Sequence, residues 1–281
     1  MGQAPFPEIN PDQSVELLKE LHILTRDGKM NQDSRRKLKQ VYHLYNFIGP
    51  LLNQIHLTAL EGAKNYSIID HGAGKSYLGF ILYDLFIKQK NLGEVIGIET
   101  RKELVTKSVE LAQKLNFERM KFFHLTVEES ISSDLLPNEV EMVTALHACD
   151  TATDDAIRFA ILKKAKHVVL IPCCQAEVAA TLKMHKEKSL RTLPLTELWR
   201  HPLHTREFGS HVTNVLRCLQ LEAFGYQVTV TELTGLEHSM KNELIMAKLH
   251  QGPSQKAGEK VKRILADLNL HDLMGRFFVP M

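Results

Sequence analysis

Residues 67–76, Ser-Ile-Ile-Asp-His-Gly-Ala-Gly-Lys-Ser, constrain the fold more than any other stretch of this chain. They read as a short buried strand running straight into a glycine turn. Leu78, Ile81, Leu82, Leu85 and Phe86 then fall at helical spacing, so a helix over 77–89 follows at once. A strand, a tight turn and a helix start in that order make an anion- or nucleotide-binding corner. Gly72 and Gly74 let the backbone approach a ligand, and the free amides of the helix start face it.

The letters of the turn separate the ligand classes. A P-loop needs Gly-x-x-x-x-Gly-Lys-Ser/Thr, and Gly74-Lys75-Ser76 supplies only its end, because Ile69 stands where the first glycine belongs. A dinucleotide fingerprint wants a third glycine where Tyr77 stands. What remains is Asp70-x-Gly-x-Gly, with an acid beside the turn. A carboxylate there repels a pyrophosphate and suits a ligand with a cationic end.

Downstream, strand and helix alternate, which predicts a parallel sheet. Glu94–Ile98 reads as the second strand, with Glu99 at its end, where an acid can accept both hydroxyls of a ribose. A helix over Leu104–Leu115 leads to a third strand, Met120–Leu125. A fourth, Val140–Leu146, ends in His147-Ala148-Cys149-Asp150, and a helix opens with Thr151-Ala152-Thr153-Asp154. The fifth, His167–Ile171, ends in Pro172-Cys173-Cys174. Neighbouring fourth and fifth strands bring His147, Cys149, Asp150, Cys173 and Cys174 to one crevice beside the glycine turn. The ligand types suit zinc, but adjacent cysteines strain a common ion and no Cys-x-x-Cys is present, so no metal site is assigned.

Before the core, a helix is expected from Ser14. A second starts near Asp33 or Ser34 and ends before Gly49-Pro50, with Arg35, Arg36, Lys37 and Lys39 on its outer face. After the fifth strand a helix runs from Ala176 to Lys188. Segment 190–211 then holds the only tryptophan, Trp199, beside Arg200, Arg206 and three histidines, an aromatic-and-cation set suited to stacking on a base or gripping a phosphate. A helix from Val212 to Phe224 and two strands, Tyr226–Leu233 and Glu243–Leu249, close the core. An amphipathic helix from Glu259 ends the chain. With 281 residues, 44% hydrophobic and 24% charged, this suits one α/β domain with attachments. A net charge of +2 and four cysteines, with no membrane-length apolar run, lead to the expectation of a soluble cytoplasmic protein with reduced thiols.

Taken in order, Asp-x-Gly-x-Gly, the His147–Asp154 stretch (His-x-Cys-x-x-Ala-Thr-Asp) and Pro-Cys-Cys resemble a subgroup of class I S-adenosylmethionine-dependent methyltransferases. Relatives of the tRNA acceptor-stem ribose methylases carry a similar His-x-Cys stretch. Two departures stand out: Ser76 replaces a frequent third glycine, and Asp150 replaces the glycine after the cysteine. The resemblance implies a Rossmann-like, seven-stranded, mostly parallel sheet with an antiparallel last strand, helices on both faces and an N-terminal helical extension. The extension would be 1–60, the methyltransferase domain 61–250 with a substrate-side insertion at 190–211, and the linker and C-terminal helix 251–281.

It further implies S-adenosylmethionine as cofactor. Asp70, His71, Gly72, Ala73, Gly74 and Tyr77 would serve its methionine end, Glu99 and Thr100 the ribose, and Thr126 and Val127 the adenine, with His147 also beside it. His147 and Asp150 are the candidate catalytic groups. Asp154, Cys173, Cys174, Trp199, Arg206, Lys241 and Asn242 are the candidate acceptor contacts. The acceptor is unidentified; the basic face at 35–39 and the Trp199–Arg206 segment favour RNA. No membrane partner is expected, and the oligomeric state is open. Two rivals remain: an inactive methyltransferase-fold scaffold, and a phosphate-handling enzyme built on Gly74-Lys75-Ser76.

Overall fold

The computed structural model describes residues 7–146, 148, 150–172, 175–185, 194–233 and 243–280. Alternation along the strands builds two cores. Ile68, Val95 and Val169 face one side of the sheet while their neighbours Ile69, Ile96 and Val168 face the other, as a period of two demands. Strands β1 (Ser67–His71) and β5 (His167–Ile171) are buried throughout, so both their faces are covered by helices.

The remaining strands are β2 (Glu94–Glu99), β3 (Met120–His124), β4 (Met142–Leu146), β6 (Tyr226–Glu232) and β7 (Glu243–Leu249). Among the described residues they form one seven-stranded sheet in the order β3-β2-β1-β4-β5-β7-β6. β1 to β5 pair in parallel, and β7 runs antiparallel between β5 and β6. The strand order reverses between β1 and β4, and that switch point opens a crevice beyond the carboxyl ends of the strands. The expected Rossmann-like sheet with its antiparallel last strand is therefore the observed one.

On one face lie α1 (Val15–Glu20), α2 (Gln32–Glu61), α3 (Tyr77–Leu82), a π turn (Tyr83–Ile87) and α4 (Lys88–Lys90). Asn31 caps α2 by accepting from the Ser34 amide at 2.8 Å, ahead of the expected caps Asp33 and Ser34. Nor does α2 stop at Gly49-Pro50. Its buried row Leu38, Val41, Leu44 and Ile48 continues through Leu52, Ile55 and Ala59. Burying Leu52 and Ile55, at about 1.5–3 kcal/mol each, together with Ala59 outweighs the proline penalty of about 3 kcal/mol. Asp84, in the π turn, fastens the extension to this face: its fully buried carboxylate accepts from the Gln13 side chain, from the Ser14 amide at 2.6 Å and from Lys88 at 3.2 Å.

The chain continues through α5 (Lys102–Lys114), α6 (Val127–Ser132), α7 (Thr151–Leu162), α8 (Glu177–Met184), α9 (Pro202–Ala223) and α10 (Gln255–Asp267). α9 begins ten residues before the expected Val212, with Pro202 in its first turn, where proline's fixed φ favours the helix. Most of segment 194–211 is therefore packed helix. A Cβ on Gly209 would lie 2.7 Å from the Ala179 Cα, so α8 and α9 touch backbone to backbone. α10 starts at Gln255, capped by Ser254, and buries Val261 and Leu265 in a third core with α8 and α9.

Candidate functional site

The glycine turn closes over the end of β1. Gly72 and Gly74 take φ of +67° and +59°, the left-handed region that glycine enters without steric cost. A Cβ on Gly72 would come 3.3 Å from the Ala148 Cβ, so the turn lies against the chain leaving β4. Ala73 N–H donates to Ile98 C=O at 3.0 Å and stitches the turn to β2. Ser76 also has φ +50°. The serine tolerates this because its amide donates to Ala73 C=O at 2.7 Å and its hydroxyl to Asp70 at 2.7 Å.

Asp70 is thus turned into the fold. Its carboxylate accepts from Ser76 and, at 3.3 Å, from Thr144 on β4; burial pushes its pKa from 3.8 to about 6 against those bonds. This corrects the expectation that it faces a methionine ammonium: it braces the turn from below. The same bond withdraws the Ser76 hydroxyl, which is buried, from any metal-bound phosphate and removes the structural basis of the P-loop alternative. His71 points to the opposite face, buried against Phe159 with ring centroids 5.3 Å apart, and burial lowers its pKa to about 4. It is a neutral core histidine and does not open onto the crevice. Tyr77 lines a cavity of about 420 Å³ between the turn, His22 and α5, outside the corner.

Glu99 stands where the sequence places it, at the end of β2 and beside the turn. Its Oε2 accepts from the Gly74 amide at 2.7 Å and from Arg101 Nη2 at 3.2 Å. Oε1 accepts from Arg101 N at 3.0 Å, from Arg101 Nε at 2.9 Å and from the Thr100 hydroxyl at 3.4 Å. Burial raises the carboxyl, but the bonds from Arg101 and Gly74 outweigh it and hold it below the ordinary range. Thr126 caps α6 in a capping box with Glu129, its own amide donating to Glu129 at 2.8 Å, while Val127 is buried in the core.

At the exit of β4, Asp150 has φ +52° and its carboxylate accepts from the Ala176 and Glu177 amides at 2.8 and 3.2 Å. Through this one oxygen, Oδ1, it tethers the start of α8 to the chain after β4. Asp154 makes a bidentate ion pair with Arg217 on α9, at 2.7 and 2.8 Å, both side chains almost wholly buried. Arg217 also donates to Asp150 C=O at 2.9 Å and to Asn214 at 3.2 Å. Asp154 is therefore part of the scaffold, not an acceptor contact. Trp199 is likewise corrected: it is fully buried, stacked on Phe208 at 4.8 Å, and offers no face to a base. Arg206 is exposed and pairs with Glu207 at 2.7 Å. His147, Cys149, Cys173, Cys174, Lys241 and Asn242 lie outside the described residues. Among the described residues no cluster of metal-ligating side chains occurs.

Two arginines that hold the acids of this region carry no motif signal in the sequence. Arg101 follows Glu99 by two residues and Arg217 falls on the buried stripe of α9 with Thr213 and Gln220. A charge inside an apolar stripe was the available signal for the second.

A family profile described as a methyltransferase domain matches residues 36–181, more than half of the 281 residues. The chain belongs to this methyltransferase-domain family. No curated protein matches it by sequence. Similar solved structures include magnesium protoporphyrin IX methyltransferase from Synechocystis PCC 6803 with bound SAH (12% identity, 84% of this chain and 94% of that one, TM-score 0.45). An rRNA methylase from Streptococcus thermophilus is another (9% identity, 66% and 88%, TM-score 0.39).

Proposed function

We propose that this protein transfers a methyl group from S-adenosylmethionine to an RNA acceptor. The observation that carries the cofactor is the corner itself: two left-handed glycines at the switch point with the Glu99 carboxylate 2.7 Å from the Gly74 amide. A glycine cradle at the switch point with an acid at the end of the next strand fits a nucleoside whose ribose hydroxyls donate to that carboxylate. Gly72, Ala73 and Gly74 would hold the methionine end, Glu99 and Thr100 the ribose, and the Thr126–Val127 edge the adenine.

The cofactor's sulfonium supplies an already activated methyl group, so this chain's share is to orient the acceptor and remove a proton. His147, a group that titrates near neutrality in the ordinary case, is our candidate for that proton, with Cys149, Cys173, Cys174, Lys241 and Asn242 around the acceptor. Asp150 accepts from the Ala176 and Glu177 amides and Arg217 donates to the Asp150 carbonyl, which ties the chain after β4 to the start of α8. The RNA reading rests on the exposed basic residues that open α2, Lys37 and Lys39 beside Arg35 and Arg36, which pair with Glu8 and Asp33. Calorimetric titration tests the cofactor: S-adenosylmethionine binds the wild type, ATP with Mg²⁺ does not, and Gly72→Arg abolishes binding. Labelled methyl then enters cellular RNA fractions. A wild type that leaves S-adenosylmethionine unbound refutes the cofactor, and label confined to protein refutes the acceptor.

A further inference from the structure

Glu99 has no acceptor capacity to spare. A carboxylate offers about four lone-pair sites. The amides of Gly74 and Arg101 take two, and Arg101 Nε and Nη2 take the other two at 2.9 and 3.2 Å, with the Thr100 hydroxyl at a longer 3.4 Å. The two amides belong to the turn and to the start of α5, so they fix the carboxylate's orientation. The two guanidinium bonds belong to a side chain that is 59% exposed, whereas that of Glu99 is 7% exposed. The guanidinium also lies over the turn, with Nη2 3.7 Å from where a Cβ on Gly74 would stand. A ribose diol presents two donors side by side. The sites on Glu99 that can be vacated without unmaking the turn are those of the Arg101 guanidinium and the long Thr100 bond, and the guanidinium holds the two shorter ones.

We propose that Arg101 is a built-in plug of the ribose seat, which must swing into solvent before a nucleoside diol can reach Glu99. The inference rests on the S-adenosylmethionine reading above. Arg101 then sets how tightly and how fast the cofactor loads, by competing with it for one carboxylate. With the guanidinium more than half in water and the carboxylate keeping its two amide donors, the exchange is expected to change the dissociation constant roughly fivefold, about 1 kcal/mol.

The test titrates S-adenosylhomocysteine into wild type, Arg101→Ala and Arg101→Lys by calorimetry, with association rates from stopped flow. Losing a guanidinium that contacted the cofactor would weaken binding; losing a plug strengthens it. We expect Arg101→Ala to bind about fivefold tighter and load faster, with Arg101→Lys between it and the wild type. The advantage of Arg101→Ala shrinks for the 2′-deoxy analogue, which asks for one site fewer. Unchanged or weaker binding by a folded Arg101→Ala, while the wild type binds, overturns the plug and leaves the cofactor reading standing. If none of the three proteins binds, the cofactor reading itself falls and takes the plug with it.

Discussion

Asp70 and His71 are neighbours on β1 whose burial shifts them in opposite directions, and this makes a sharp prediction about acid. Burial raises the Asp70 carboxyl from 3.8 to about 6 and lowers the His71 imidazole from 6.5 to about 4. Between about pH 4 and 6 the unfolded chain therefore carries a proton on His71, and the folded chain carries one on Asp70. The counts are equal, so this pair contributes no slope to stability in that window. In Asp70→Asn only the histidine remains. Its folded pKa is depressed, so stability is lost as pH falls from 6 to 4, by about 1.4 kcal/mol per pH unit relative to wild type. In His71→Phe only the carboxyl remains. Its folded pKa is raised, so stability is lost as pH rises through the same window, with the same slope and the opposite sign. Urea unfolding of the three proteins at pH 4.5, 5.2 and 6.0 reads the difference directly, because other titrating groups are common to all three. Slopes that agree to within about 0.3 kcal/mol per pH unit would refute the paired burial argument.

Two further substitutions probe the scaffold. Arg217→Met strands the buried Asp154 carboxylate and should cost about 3–5 kcal/mol, lowering the melting temperature by roughly 10 °C; adding Asp154→Leu should restore part of the loss, and a double variant no better than the single one would contradict the pairing. Gly209→Ala forces α9 off the Ala179 backbone, and a loss of about 1–3 kcal/mol in urea unfolding is expected, against the usual helix gain from alanine.

What the sequence made legible follows from what each residue can do alone. A buried parallel strand must be apolar on both faces, so Ile68-Ile69 and Val168-Val169-Leu170-Ile171 announced β1 and β5, and β5 has the expected bounds. The turn was equally legible, because left-handed φ demands glycine at 72 and 74. Pro50 misled for a tertiary reason: the buried row of α2 continues past it, and burial outweighs a local penalty. Trp199 and Asp154 misled for another. Their types suit a ligand, but type does not encode what a residue faces, and Trp199 meets Phe208 while Asp154 meets an arginine 63 residues away.

The same limit, applied to the acids as a group, narrows the site. Four carboxylates were candidates for ligand contact, and the fold supplies donors to each. Asp70 is held by Ser76 and Thr144, Asp150 by the Ala176 and Glu177 amides, and Asp154 by Arg217, itself fully buried. Ser76, Thr144 and Arg217 cannot leave without stranding a buried group, which costs several kcal/mol, and the Ala176 and Glu177 amides are fixed by the backbone that opens α8. Glu99 alone is held in part by a side chain already more than half in water. A ligand must offer more than the donor it displaces, and only at Glu99 is that donor inexpensive to displace. Of the three buried carboxylates, the acid at the end of β2 is therefore the one that this fold leaves open to exchange.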